Sequence, residues 1–304
     1  MKCSEALDLF IREQYVAGST DKTIKHYRTH INLFINFVNN IDIDLIDYDI
    51  YKDYIVFLKT KYKDSQVSKG QKVHLAGRTI KTYASALKTF LSFCYSKIKV
   101  LPEDIAQNIK MPKYQKKVIK ILNYEQIKKI ISYYDINTFL GCRDLLAISL
   151  MLDCGLRVSE VAEVSFSDFD LINRCIVVNG KGQKQRYVPF TDFVFDLYNK
   201  LLKLSNFDYP FCDVYGNKLK VNGIIQIVKR LKIGLGFKDL HPHLFRHTFA
   251  TLYILNGGDP LSLQIILGHT TFYMTQQYLH LAQQLVISKN IKFTPLSHLK
   301  TISS

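Results

Sequence analysis

The sequence predicts a mainly α-helical protein with one small β element, built as a helical N-terminal domain followed by a mixed α/β domain. Apolar residues recur every three or four positions through most of the 304 residues, which is the period of amphipathic helices. Residues 174–190 depart from this period, because β-branched residues flank a Gly-Lys-Gly tripeptide there. Residues 102–122 contain two prolines and five lysines, and they interrupt the helical pattern between the two domains.

The first domain, residues 1–110, is predicted to be helical. Residues 23–37 and 79–93 match each other at a constant offset of 56 in Thr, Ile, Lys, Tyr and two Phe. Either a duplication or two amphipathic helices with similar starts explains this match. Each segment has a lysine and a tyrosine near its start, where both side chains could contact phosphate groups. These candidates are Lys25, Tyr27, Lys81 and Tyr83.

A linker is expected at residues 111–122, with the domain boundary near residue 115, and the second domain at residues 123–304. Asn123 and Gln126 have the spacing of a capping box, in which each side chain bonds the backbone of the other residue. A new helix is therefore predicted to begin at this point.

The β element is predicted to be a hairpin within residues 174–190, with Lys181 at its turn between Gly180 and Gly182. The stretch lacks the GxxxxGK[ST] pattern, so it does not match a nucleotide-binding P-loop. A lysine on such a tip is most often only a solvated loop residue. The hairpin alone therefore assigns no function to Lys181.

The charge indicates a polyanionic partner, since the formal net charge is +15. Residues 51–120 carry 16 Lys or Arg against four Asp or Glu, whereas residues 1–50 carry five basic against eight acidic residues. Positive charge concentrated in one part of a chain is typical of a nucleic-acid-binding surface. The alternatives are an anionic membrane as partner, or a basic protein whose charge has no specific partner.

The composition indicates a folded cytosolic protein with two apolar cores, because 47% of its residues are hydrophobic. The longest strongly apolar stretch, 145–152, is too short to span a bilayer, and the first residues lack the apolar segment of a signal peptide. The six cysteines are scattered and include no CxxC pair. They are expected to be reduced core thiols rather than disulfides or zinc ligands.

The stretch HPHLFRHT, residues 241–248, places three histidines and an arginine at the start of a predicted helix. Pro242 suits the first turn, and Asn256-Gly257-Gly258 ends the apolar pattern. His243 and Arg246 are three residues apart, so they share one face near the helix N-terminus. Free amides and the helix dipole favour an anion at that end.

The same residues also fit two other interpretations, a zinc site or a helix start that the histidines only cap or line. A zinc site would use His241, His243 and His247, but no HExxH motif is present, and Arg246 would stand beside the cation. Alternatively, the histidines only cap or line the helix start.

A second short helix is predicted to follow. Its cap is Asp259-Pro260 and its end is Gly268, which leaves His269 on the next turn.

Four motifs occur in a fixed order along the chain: LDCGLRVSEVAEV (152–164), GKGQKQRYVP (180–189), HPHLFRHTFAT (241–251) and LGHTTFYMTQQYLH (267–280). Together they resemble the catalytic domain of the tyrosine recombinase (phage integrase) family, in its compact bacterial Xer-like form. The resemblance is strong from about residue 120 to 280 and weak before residue 110. It implies a helical core-binding domain and a mixed catalytic domain that form a C-shaped clamp around double-stranded DNA.

The resemblance implies six catalytic residues: Arg157, Lys181, His243, Arg246, His269 and Tyr278. Exchange of a phosphodiester through an enzyme-bound intermediate needs a nucleophile, cations on the non-bridging oxygens and proton transfer at both ends. The two arginines would supply forked donors to those oxygens, and His269 would add another phosphate contact. Tyr278 would attack phosphorus, His243 would accept the phenol proton and Lys181 would protonate the departing 5′ oxygen.

No metal and no cofactor are expected to be required. The arginines and the helix N-terminus would provide the positive field, and a 3′-phosphotyrosine would preserve the energy of the broken bond.

Spacing favours Tyr278 over Tyr273 as the nucleophile. Five residues on a helix turn the two side chains about 140° apart, so only one of them can face a given phosphate. Packing is the alternative role for either tyrosine in a chain with 19 tyrosines. Glu160, three residues after Arg157, is expected to orient that arginine.

The predicted function is site-specific recombination, as in chromosome dimer resolution or in integration and excision of a mobile element. The partners would be a duplex recombination site and further protomers, in a homotetramer or in a heterotetramer with a second recombinase. The tail segment 281–291 would pack on a neighbouring protomer or on its own domain. The rival functions are a type IB topoisomerase, which rejoins the same strand, and a DNA-binding protein without catalysis.

Overall fold

The computed structural model of the protein describes residues 1–61, 74–113, 120–180, 185–269, 271, 275–276 and 278. The chain divides into two compact units, Met1–Lys117 and Val118–Ser304, and each has its own apolar core. The described residues are mostly helical and include one three-stranded sheet, so the predicted fold class is confirmed. The placement of the two units as a clamp stays a prediction.

The described part of the first unit is helical: α1 (Cys3–Val16), α2 (Asp21–Phe37), α3 (Tyr48–Thr60), α4 (Gly77–Ser96) and the short α5 (Ile105–Asn108). Helices α1, α2 and α4 contact one another, and fully buried aromatic side chains fill the space between them. Phe10 of α1 contacts Phe90 of α4 with ring centroids 5.7 Å apart. The two segments that match at an offset of 56 residues are therefore neighbouring helices, α2 and α4.

The second unit packs around one central helix. Its described helices are α6 (Tyr124–Ile131), α7 (Phe139–Leu152), α8 (Val158–Glu163), α9 (Asp192–Leu204), α10 (Val221–Leu235), α11 (Pro242–Leu255) and α12 (Pro260–Leu267). All residues of α7 from Cys142 to Met151 are buried, and α8, α9, α10 and α11 contact it. A helix that is apolar on nearly every side has to be covered in this way.

The sheet is antiparallel, in the order β1 (Phe169–Asp170), β2 (Cys175–Asn179) and β3 (Gln185–Pro189). Strands β2 and β3 pair with Val177 opposite Tyr187, which confirms the two strands of the predicted hairpin. The turn that carries Lys181 lies outside the described residues. Alternation along β3 points Arg186 and Val188 inward, where both are buried.

The predicted helix ends of the second unit are confirmed. Asn123 and Gln126 form the expected reciprocal capping box, with hydrogen bonds of 2.8 and 3.0 Å. The Asp259 carboxylate accepts a 2.7 Å hydrogen bond from the Ser262 backbone N–H at the start of α12. That helix ends at Gly268, which has a left-handed backbone with φ of 61°.

All six cysteines are buried free thiols, as the sequence predicts. Burial raises the pKa of the Cys94 thiol to about 12 and that of Cys142 to about 11. Within the described ranges, no helix is both long enough and apolar enough to cross a membrane.

Candidate active site

Four of the six predicted catalytic residues come together in the second unit, three of them in direct contact and Arg157 through Glu160 and the Gly268 carbonyl. Arg157 immediately precedes α8, Arg246 lies in the second turn of α11, and His269 follows the end of α12. Tyr278 lies near them, with its ring parallel to that of His269 and the ring centroids 6.4 Å apart. The structure thus brings together residues that are up to 121 positions apart in the sequence.

Arg246 is the buried centre of this site, with 5% of its surface exposed. Its Nη1 donates a 2.5 Å hydrogen bond to the carbonyl of Gly155, and its Nη2 donates one of 2.8 Å to the carbonyl of Leu267. Burial and the charge of Arg157 lower the pKa of this guanidinium to about 10, so it remains charged at neutral pH. Two backbone carbonyls therefore fix a positive charge in a site with little water.

Glu160 holds the second arginine of the site. Its Oε2 accepts a 2.7 Å hydrogen bond from the Arg157 backbone N–H, and its Oε1 accepts one of 2.8 Å from Arg157 Nη1. The expected contact between these two residues is therefore confirmed. The Arg157 side chain is 33% exposed, so part of it is accessible from solvent.

Arg186 of β3 also binds Glu160, and sequence reasoning missed this residue. Its Nη1 and Nη2 donate to Oε1 and Oε2 at 3.0 and 2.8 Å, while its Nε donates to the carbonyl of Ile266 at 2.7 Å. Burial alone would raise the pKa of the Glu160 carboxyl, but hydrogen bonds from Arg186 and the Arg157 backbone hold it below its usual value. Glu160 is thus an ionised bridge between two arginines.

The hydrogen bonds of His269 define its neutral form. Its Nε2 accepts a 3.2 Å hydrogen bond from Arg246 Nη2, since a guanidinium can only donate. We therefore assign the ring proton to Nδ1, which lies 3.0 Å from Thr275 Oγ1 and donates to it. Burial and the nearby arginines lower the pKa of His269 to about 4, consistent with a neutral ring.

Tyr278 is nearly enclosed, with 4% of its surface exposed. Its hydroxyl forms a 2.9 Å hydrogen bond with Nδ1 of His247. Burial raises the pKa of the phenol, and the charges of Arg246 and Arg157 oppose this rise. The sequence predicts for His247 either a zinc ligand or a residue that lines the helix start, so its contact with Tyr278 is not among the predictions.

His243 is exposed and lies one turn before His247 on α11, with the two ring centroids 6.4 Å apart. Partial desolvation of the ring lowers the pKa of His243, and the charges of His241, Arg246 and Arg157 lower it further. The ring is therefore neutral at neutral pH. The contact that the structure gives His243 in this site is with the His247 ring, and its role as acceptor of the phenol proton stays a prediction.

Several predicted features lie outside the described residues: Lys181, Tyr273 and the tail segment 281–291. Among the residues that are described, no group of three or more His, Cys, Asp or Glu side chains could hold a metal ion.

Gly155 allows the loop before α8 to pass close to α11. Its φ is 66°, a left-handed conformation that side chains other than glycine rarely adopt. A Cβ at this position would overlap the ring of Phe249, and the Gly155 carbonyl is the one that holds Arg246. The local fold and the orientation of a predicted catalytic residue thus depend on the same glycine.

The candidate phosphate contacts of the first unit lie on α2 and α4. Lys25 and Lys81 are exposed, whereas Tyr27 and Tyr83 are partly buried against the core of the unit. The Tyr27 ring meets Phe10 edge-on at 5.0 Å, so it also has a packing role.

An apolar groove of about 620 Å³ lies elsewhere in the second unit, between α6, α7 and α11. Its lining includes Ile127, Leu145, Phe193, Leu252 and Tyr253. The described residues leave this groove open to solvent, since Phe193 is 42% exposed.

Two family models match the chain. The model of the phage integrase family matches residues 120–284, and that of the phage integrase SAM-like domain matches residues 5–111. Tyrosine recombinase XerC of Bacillus pumilus (strain SAFR-032) is 32% identical over 288 residues, covering 91% of this chain and 90% of that protein. Tyrosine recombinase XerA of Saccharolobus solfataricus (strain ATCC 35092 / DSM 1617 / JCM 11322 / P2) is 32% identical over 297 residues, covering 96% and 94%.

The fold also resembles a solved recombinase structure. The Tn1549 transposon integrase in complex with circular intermediate DNA superimposes with a TM-score of 0.73 at 19% identity, covering 91% of this chain and 95% of that one. Neither the family models nor these relatives support the topoisomerase alternative.

Proposed function

The chain belongs to the phage integrase (tyrosine recombinase) family and is a site-specific enzyme that cleaves and rejoins DNA, and from this premise we propose that the six matching residues carry out its chemistry. The observation that supports the proposal is that Arg246 binds His269, Arg157 binds the carbonyl of the preceding Gly268, and the His269 ring contacts that of Tyr278. A phosphodiester held by these cations would lie within reach of the phenol oxygen.

The two arginines bind the non-bridging oxygens of the scissile phosphate. A guanidinium has five N–H donors, and within the described residues each of these two arginines uses part of its set on protein acceptors. The remaining donors are oriented by Glu160 and by backbone carbonyls, so little reorganisation is needed when charge develops in the transition state. A phosphate that takes over the Arg246 Nη2 donor would free Nε2 of His269, and its negative charge would raise the pKa of this ring, so that the protonated Nε2 becomes a third donor.

Tyr278 attacks phosphorus and forms a 3′-phosphotyrosine while the 5′ oxygen departs. Lys181 protonates that oxygen, and the phenol proton passes to a base at the start of α11, for which the family resemblance implies His243. The 5′ hydroxyl of a second strand then attacks the phosphotyrosine and completes strand exchange. The bond energy is conserved in the covalent intermediate, so this scheme includes no nucleotide cofactor.

The first unit binds the flanking duplex. Its exposed Lys25 and Lys81 contact backbone phosphates, and the partly buried Tyr27 and Tyr83 position them on adjacent helices. The net charge of +15 strengthens this binding through release of counterions from DNA.

Replacement of Tyr278 tests the proposal. With Tyr278→Phe we expect no covalent protein–DNA adduct on a nicked duplex that carries the recombination site, because the attacking oxygen is missing, while duplex binding is retained. Gel analysis under denaturing conditions measures the adduct, and filter binding measures affinity.

The matched control is Tyr198→Phe, because Tyr198 is also buried in the second unit but lies on α9. We expect this variant to form the adduct at the wild-type rate. An adduct formed by Tyr278→Phe would disprove the assignment of the nucleophile.

A further inference from the structure

The phenol of Tyr278 already has a basic partner in the protein alone. Its hydroxyl is 2.9 Å from His247 Nδ1, and the two ring centroids are 5.8 Å apart. His247 follows Arg246 directly on α11, so the same helix turn carries a phosphate-binding cation and this imidazole. A base within hydrogen-bond distance of the proton it removes meets the first geometric requirement of general base catalysis.

Resting on the proposed function, we propose that His247 is a catalytic residue, the base that accepts the Tyr278 phenol proton during strand cleavage. As the bond from Oη to phosphorus forms, the O–H bond breaks and its proton moves to Nδ1 of His247. The bond from phosphorus to the 5′ oxygen breaks, and that oxygen takes a proton from Lys181. During rejoining the proton returns from Nδ1 to Oη, so His247 ends each exchange neutral.

This assignment moves the proton acceptor one helical turn away from His243. His243 is exposed, and its ring centroid is 6.4 Å from that of His247. It is therefore available to the phosphate oxygens rather than to the buried phenol. The two histidines on α11 would have separate roles, one on the phosphate and one on the nucleophile.

The electrostatics of the site keep the proton on the phenol until DNA binds. Burial and neighbouring positive groups lower the pKa of His247, so its ring is neutral and able to accept a proton, while burial raises the pKa of the phenol. Transfer is unfavourable in the free protein and becomes favourable only as the attack on phosphorus proceeds. The charged and titratable groups that face His247 are His241, His243, Arg246, His269 and Tyr278.

The test is the variant His247→Asn. The asparagine Oδ1 takes the place of Nδ1 and accepts a hydrogen bond, but it does not accept a proton. We expect the rate of adduct formation on a nicked duplex to fall about 10²- to 10⁴-fold at neutral pH. Duplex affinity should stay at the wild-type value, since His247 contacts the nucleophile rather than the phosphate.

The pH profile separates a base from a merely structural residue. Without a base, cleavage requires phenolate, so the His247→Asn rate should rise about tenfold per pH unit above neutral and approach the wild-type rate near the phenol pKa. His243→Asn is the comparison variant, and we expect its defect to be independent of pH in this range. The reverse pattern, with the pH-dependent rescue in His243→Asn, would overturn the proposal.

A duplex with sulfur in place of the bridging 5′ oxygen identifies the end of the reaction at which His247 acts. A thiolate leaves without protonation, so this substrate should rescue Lys181→Ala but not His247→Asn. Rescue of His247→Asn would assign the histidine to the leaving group and contradict the proposal.

Circular dichroism and thermal unfolding verify that each variant is folded, and His247→Gln replaces His247→Asn if the latter unfolds. A folded variant that cleaves at the wild-type rate at neutral pH would show that His247 is not the base. Failure of the wild-type protein to form any adduct would instead contradict the proposed function.

Discussion

At the scale of single residues, the site depends on one carboxylate that is shared by two arginines. Glu160 is 8% exposed at its side chain and receives hydrogen bonds from Arg157 and Arg186, with Arg246 Nη1 at 4.0 Å from its Oε2. A buried ion network of this kind contributes little when complete, but loss of one member leaves the others unneutralised. Glu160 therefore affects the stability of the unit and the orientation of both arginines together.

Replacement of Glu160 by Gln should lower the free energy of unfolding by about 3 kcal/mol at neutral pH, because the buried Arg186 and the partly buried Arg157 lose their counter-charge. Denaturant unfolding measures this change. The matched control is Glu163→Gln on the same helix, whose exposed pair with Lys218 at 3.0 Å should contribute less than about 1 kcal/mol. Equal effects of the two substitutions would disprove the central role of Glu160.

The effect of Glu160 should depend on pH. Its pKa is lower in the folded protein than in the unfolded chain, so its stabilisation is fully present above the ordinary Glu pKa and is lost as pH falls through the folded value. The difference in unfolding free energy between wild type and Glu160→Gln should therefore shrink under acidic conditions.

Sequence patterns identified most of the predicted site but not two of its contacts. The ordered motifs led to Arg157, Arg246, His269 and Tyr278, because each stands at a fixed position in a short pattern. The contacts of Arg186 with Glu160 and of His247 with Tyr278 were not predicted. The partners are 26 and 31 residues apart in the sequence, and only the tertiary fold brings them together. For Arg186 a signal existed, because the alternation of β3 points it inward and a buried charge requires a partner.

At the scale of elements, the approach of the loop before α8 to helix α11 depends on Gly155. Gly155→Ala should lower the unfolding free energy by about 3–4 kcal/mol, because it combines left-handed backbone strain with overlap against Phe249. Gly236→Ala is the control: its φ is 67° and nothing lies within 4 Å of an added Cβ, so only about 1 kcal/mol of strain is expected.

Calorimetry compares the two glycine variants, and adduct formation should fall only in Gly155→Ala, whose carbonyl holds Arg246. Equal losses of stability in the two variants would mean that the Phe249 ring moves away from the added Cβ without a cost in free energy.

Helix boundaries were predictable where caps have a chemical signature, as at Asn123, Asp259 and Gly268. Strand β1 was not predicted, because Phe169–Asp170 is only two residues long and shows no alternation. It is a strand only because β2 provides its hydrogen-bonding partner, with Phe169 opposite Ile176.

At the scale of the whole molecule, the assembly of four protomers on two DNA sites stays a prediction, and so do the two alternatives for the tail segment 281–291, which would pack on a neighbouring protomer or on its own domain. The groove has about 620 Å³ of volume between α6, α7 and α11, and the tail segment is apolar with little charge. If each protomer of a closed ring contacted the next through its tail, these contacts would couple the four active sites.

Mixing two defective proteins tests this arrangement. A chain that ends at residue 280 lacks the tail, and Phe193→Asp places a charge in the groove. If the tail packs on a neighbour, each defective protein alone should bind DNA only as separate protomers. The mixture should form pairs, because the tail of the Phe193→Asp protein can enter the groove of the truncated protein. Mass photometry on duplex DNA measures the assemblies. If the tail packs on its own domain, mixing will produce no new species.

The burial of every thiol makes the native chain suited to labelling. All six cysteines are enclosed, and burial raises the pKa of Cys3, Cys94, Cys142, Cys154, Cys175 and Cys212. Maleimide dyes react with exposed thiolates and so find few targets in the native chain. One cysteine introduced on the surface would carry a fluorophore with little background, and single-molecule energy transfer could then follow synapsis in real time.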